Sequence, residues 1–150
     1  FVVSILSDRL PFLNYSTNIP IMPLVKINET KQYTISILPE KNRAYLKIIG
    51  FWRTPESVPD YLKDWMKATS LLSKGFTLLT DASEMKTHPQ ELRKLHEQSQ
   101  AILLKAGVSK VAEILKDEVA EMQLNAVAKA TQFPKQNFKS AEEAEKWLDN

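Results

Sequence analysis

Gly75-Phe-Thr-Leu-Leu-Thr-Asp-Ala-Ser-Glu-Met85 is the stretch on which the fold of this chain turns. From Phe76 to Thr80 it is a continuous apolar and β-branched run without polar alternation, the pattern of a strand covered on both faces in the middle of a sheet. Asp81-Ala82-Ser83 stops that run. The reading is a central strand with a polar turn at its carboxyl end, the place where open α/β sheets collect ligands.

Upstream, Tyr33-Thr-Ile-Ser-Ile-Leu38 alternates, Pro39 to Asn42 carries turn chemistry, and Ala44 to Phe51 alternates again, which predicts a β-hairpin. Ser57-x-x-Asp60 then opens a helix with Pro59 in its tolerant first turn, and Lys74-Gly75 closes it. Val58, Leu62, Trp65, Thr69 and Leu72 form its apolar stripe, so Trp65 reads as core.

Downstream, Pro89 starts a second helix with Leu92, Leu95, Ser99, Ile102, Leu103 and Ala106 inward, ended by Gly107. Lys110 to Leu115 is the next strand. Asp117 caps a third helix through about Thr131, with Val119, Met122, Ala126, Val127 and Ala130 inward. Gln136 to Lys139 is a short strand, and Ser140 opens a final helix that turns Ala144, Trp147 and Leu148 inward. Strand and helix alternate after the hairpin, which implies parallel pairing. The expected fold is α/β: a mixed sheet of about five strands with an opening antiparallel hairpin and about four packed helices, in one domain over residues 33–150.

The 150 residues, 43% hydrophobic and 25% charged, suffice for one core and a solvated surface. The 20 basic and 18 acidic residues are interspersed, which argues against a nucleic-acid partner. The absence of cysteine excludes disulfides, thiolate metal sites and cysteine nucleophiles, and a cytoplasmic location is the expectation. No apolar run approaches the ~20 residues that span a bilayer.

Residues 1–32 read as an extension. Phe1 to Ile21 has no sustained periodicity and Met22 is a natural start, so the first 21 residues are expected to derive from cloning or from translation upstream of the initiator. They are expected to be ordered only if Phe1-Val-Val-Ser-Ile-Leu6 joins a sheet edge, fills a groove or packs on a second copy.

Two local patterns resemble the STAS-like families, the sulfate transporter and anti-sigma factor antagonist fold of bacterial proteins. Asp81-Ala82-Ser83 is similar to the Asp-Leu-Ser that ends a central strand there. Phe138-Lys-Ser-Ala-Glu-Glu-Ala-Glu-Lys-Trp147-Leu148 is similar to a closing pattern in one group of those proteins. The resemblance covers about residues 33–149 and implies a domain that works by contact rather than by chemistry. In anti-sigma factor antagonists a second segment, Asp-Ser-Ser-Gly, carries a regulatory phosphoserine; here the corresponding stretch is Lys86-Thr-His-Pro-Gln-Glu91, without Ser or Gly. Ser83 is accordingly not assigned that role.

Several residues are candidates for a site. Asp81 and Ser83 sit at the strand end, with their own turn as the competing use. Trp52 and Arg53 follow the hairpin, where alternation turns either Phe51 or Trp52 outward. His88 and His96 match no metal-ligand spacing and read as a solvated or capping pair, so no metal site is expected. Three glycines in the whole chain exclude a Walker loop, a G-x-G-x-x-G turn and a G-x-S-x-G elbow, and no cofactor is expected.

These observations lead to a non-enzymatic, regulatory STAS-like domain that acts through protein–protein contact, homodimerisation included, or by binding a small apolar ligand. The binding groove is expected to bring Trp52, Arg53, Asp81, Ser83, Met85 and His88 together. The alternative is a small hydrolase or transferase using Asp81 with His88, which requires the two within hydrogen-bond reach.

Overall fold

A computed structural model describes residues 23–150; the expectations for Phe1 to Met22 lie outside the described residues. Six strands form one sheet in sequential order: β1 (Val25–Glu29), β2 (Tyr33–Leu38), β3 (Arg43–Gly50), β4 (Thr77–Met85), β5 (Lys110–Leu115) and β6 (Lys135–Phe138). The first three pair antiparallel and the remainder parallel. Helices α1 (Tyr61–Ser70), α2 (Leu92–Ala106) and α3 (Glu118–Thr131) are the crossovers between parallel strands, and α4 (Ala141–Asp149) closes the described chain.

A sixth strand stands where the sequence reading expects about five. β1 lies in the stretch assigned to the extension, and a bulge between Lys26 and Asn28 interrupts the alternation that would reveal it. Its anchor is tertiary. Asn28 Nδ2 donates to Asp64 Oδ2 at 2.7 Å, and the Tyr33 hydroxyl donates to the same oxygen at 2.6 Å. α1 starts at Tyr61 rather than at Ser57, because Pro55–Ser57 is a separate 3-10 turn in which the Ser57 hydroxyl donates back to the Thr54 carbonyl instead of capping the helix. It buries Tyr61, Asp64, Trp65 and Ala68. Asp64 belongs to the inward face because two donors satisfy it there.

The two faces of the sheet differ. On one, α1, α2 and α3 cover a large core that holds Ile35, Leu46, Trp52, Trp65, Leu78, Leu92 and Leu124; on the other, Ala144 and Leu148 of α4 pack on Leu79, Ala112 and Ile114. Local chemistry fixes the helix ends as expected in α3 and α4. Asp117 accepts from the Ala120 N–H and Ser140 from the Glu143 N–H, both at 3.2 Å. Gly107 has φ +99°, and a Cβ there would lie 2.6 Å from Lys74 Cγ, so the turn out of α2 needs glycine.

α3 is rotated from its expected orientation. Its buried residues are Ala120, Leu124, Val127 and Ala128, while Val119 is 46% exposed and Met122 68% exposed. The helix carries two overlapping apolar stripes, and its alanines let either one face a sheet. Ala120 and Ala128, the smaller pair, are the ones buried, and the Val119–Met122 stripe is left on the surface.

Candidate functional site

β4 does not end at Asp81. It continues to Met85 after a bulge, because Lys47 pairs with Asp81 and Ile49 with Glu84, two steps on β3 against three on β4. Asp81 Oδ1 accepts the Ser83 N–H at 3.0 Å and the Ser83 hydroxyl at 2.6 Å, closing the bulge on itself. Asp81 lies with Tyr45, Leu79 and Ile114 on the α4 side of the sheet.

Met85 comes out of the bulge on the opposite side, fully buried in the larger core. Just beyond it the chain passes His88 before α2 begins. The Gln123 amide of α3 clamps the His88 backbone: His88 N–H donates to Gln123 Oε1 at 3.0 Å, and Gln123 Nε2 donates to His88 O at 2.7 Å. His88 Nε2 lies 3.2 Å from the Gly50 carbonyl at the end of β3, and His88 Nδ1 lies 3.0 Å from His96 Nε2.

That chain of contacts determines the proton positions. A carbonyl can only accept, so His88 Nε2 carries hydrogen; in a neutral ring His88 Nδ1 is then bare and must accept from His96 Nε2–H. In a neutral His96 ring Nδ1 is then the nitrogen without hydrogen. The rings are parallel within 8°, and Trp52 stacks on both, at 4.8 Å from His88 and 5.4 Å from His96. Only 3% of His88 and 6% of His96 is exposed, so they are not the solvated pair of the sequence reading. Burial holds His88 down at about 4, partly offset by the Gly50 carbonyl. Burial and the neighbouring His88 hold His96 at about 3.

Over these rings opens a groove of about 160 Å³ between the Met85 turn, α2 and α3. Met85, Pro89, Met122, Leu124, Ala126 and Val127 are its apolar lining, and His88, Gln90, Arg93, His96 and Gln123 its polar lining. No hydroxyl, thiol or carboxylate side chain is among them. Behind His96 lies a chamber of about 20 Å³ bordered by Tyr61, Ser99, Gln100 and Glu113. Burial raises the Glu113 carboxyl, against the opposing pull of Lys135 Nζ at 2.7 Å.

Of the six residues expected in one groove, Met85 and His88 line it. Trp52 is fully buried beneath the histidines, its indole N–H donating to the Gln32 carbonyl at 3.0 Å. Phe51, 51% exposed, is the outward member of the pair, and Arg53 is exposed away from the groove lining. Asp81 and Ser83 belong to the bulge. Asp81 and His88, the pair of the hydrolase alternative, do not meet: each is bonded elsewhere, and they occupy opposite sides of the sheet. The sequence reading missed Gln123, Arg93 and the groove-lining role of Met122. The second apolar stripe of α3 was the signal for Met122; Gln123 had none.

No family model matches the chain, and no curated protein matches it. Among solved structures, it is similar to an uncharacterized protein of the DUF3478 family with a SpoIIAA-like fold from Shewanella loihica PV-4. The two share 19% identity with a TM-score of 0.57, over 81% of this chain and 97% of that one. The mixed sheet with its opening hairpin and four helices is thus a SpoIIAA-like, STAS-like fold.

Proposed function

We propose that this domain is a non-enzymatic, regulatory STAS-like module that binds a small apolar ligand in the groove between Met85, His88 and Met122. The observation that carries the reading is the lining: a concave, mainly apolar site with few polar groups and no nucleophile. Its volume of about 160 Å³ compares with the roughly 150 Å³ of a cavity that accepts benzene, so the group it buries is one ring or a short acyl chain. The separation of Asp81 from His88 supports the non-enzymatic side.

A thermal-shift screen with fatty acids and other amphiphiles tests this. Ligands at about 100 times Kd should stabilise by roughly 2.7 kcal/mol, and Ala126→Trp, which fills the groove, should abolish the shift. A flat response to all of them removes the ligand reading. It would leave protein–protein contact, which the exposed Val119, Met122 and Phe51 favour as a second reading.

A further inference from the structure

The lining of the groove carries a single formal charge. Burial holds both histidines neutral and Gln90 and Gln123 are amides, which leaves the Arg93 guanidinium, with no carboxylate in the lining to balance it. Both Gln123 amide atoms are spent on the His88 backbone, and both His88 nitrogens are bonded. Arg93 has donors in reserve: among the described residues it bonds Glu97 through Nε alone, at 3.0 Å. A guanidinium is a planar fork of five N–H donors, so spending Nε–H leaves the Nη1–Nη2 edge, which can take both oxygens of another carboxylate. Arg93 stands in the first turn of α2, where the positive end of the helix dipole favours the same sign of ligand. With 41% of its side chain exposed, it belongs to the wet rim of the groove rather than to its floor.

Resting on the reading of the groove as a ligand site, we infer that its occupant is a small amphiphilic monocarboxylate, whose short acyl chain or single ring fills the apolar part while its carboxylate pairs with Arg93 at the rim. A head group at the rim keeps part of its hydration, so the charge escapes the cost of burial beside neutral imidazoles. A cationic head meets like charge there, and a neutral head gains no charge-assisted bond. Glu97 opposes the ligand without blocking it, since it carries the same charge but occupies only Nε. Because the pair is partly solvated, the head group sets a preference of a few-fold that salt weakens, while the apolar lining supplies most of the affinity.

The test measures Kd on the full chain at about pH 7.5 for hexanoate, hexanol and hexylammonium, which share one tail under three head charges. At about 0.02 M salt hexanoate should bind roughly three- to fivefold tighter than hexanol, and hexylammonium weaker than either. Raising the salt to about 0.5 M should remove most of that advantage. Arg93→Gln should still bind hexanol but lose the preference for hexanoate, whereas Glu97→Gln, which releases the guanidinium, should increase it. Should Arg93→Gln fail to fold, Glu97→Gln and the salt dependence of the wild type decide. Hexanoate no tighter than hexanol, or a preference that survives Arg93→Gln, would overturn this inference alone. So would hexanoate binding that survives Ala126→Trp while hexanol binding is lost, since the anion would then sit outside the groove. Failure of all three probes to bind the wild type would overturn the groove reading and this inference with it.

Discussion

Asp81–Ser83 and His88–His96 lie only a few residues apart, and they are built in opposite ways. The first closes its hydrogen bonds within three residues, on a strand bulge that would form in any sheet of this register. The second draws on β3 through Gly50, on Trp52 beneath the rings and on α3 through Gln123. Polar residues at a strand end attract functional assignment, yet these are satisfied by their own backbone. The histidines, an unremarkable pair in sequence, are where the tertiary structure converges.

If that contrast is right, removing the ring beneath the histidines should have the largest effect. Trp52→Ala should lose about 3–5 kcal/mol of stability in urea denaturation, because Trp52 also packs edge-on against Tyr61 at 5.0 Å. A loss under about 1 kcal/mol would mean that the pair does not depend on its stack.

Acid should come next. Above pH 6.5 both rings are neutral in folded and unfolded chains; below it the unfolded chain takes up protons that the folded one, held at about 4 and about 3, refuses. Stability is thus present at neutral pH and lost as pH falls from about 6.5 toward 4. At about 1.4 kcal/mol per pH unit per ring the loss is about 2–4 kcal/mol between pH 7 and pH 5. Glu113, held above its ordinary value, contributes with the opposite sign, its share being lost as pH rises. The slope attributable to His96, about half of that loss, is therefore the difference between wild type and His96→Phe. Equal slopes would show that His96 is not buried as a neutral group.

Asp81→Ala should cost about 1 kcal/mol for its two bulge bonds and leave groove affinity unchanged in the thermal-shift assay. A drop in affinity would erase the contrast between the two regions. The smallest effect on stability is expected for Met122→Ser, within about 0.5 kcal/mol since the side chain is 68% exposed. Affinity for an apolar ligand should nevertheless fall, and if it does not, Met122 is surface only.

Much of the architecture was legible. The hairpin, the apolar run Phe76–Thr80, the caps at Asp117 and Ser140 and the inward Leu92, Leu95, Ser99 and Leu103 all rest on local periodicity or on hydrogen bonds within one turn. β1 was not legible, since a bulge breaks its pattern and its docking depends on Asp64 of α1. Nor was the rotation of α3, where two apolar stripes compete and only the room available against the sheet chooses between them.

By itself, then, the sequence determined the order of the elements and the identity of the central strand, because backbone propensities, apolar periodicity and capping act over a few residues. Only the tertiary structure decided that Asp81 would close a bulge on one side of the sheet while His88 and His96 stack on the other under an apolar groove. Those contacts join residues from three elements, and their energies depend on burial that no short stretch of chain possesses.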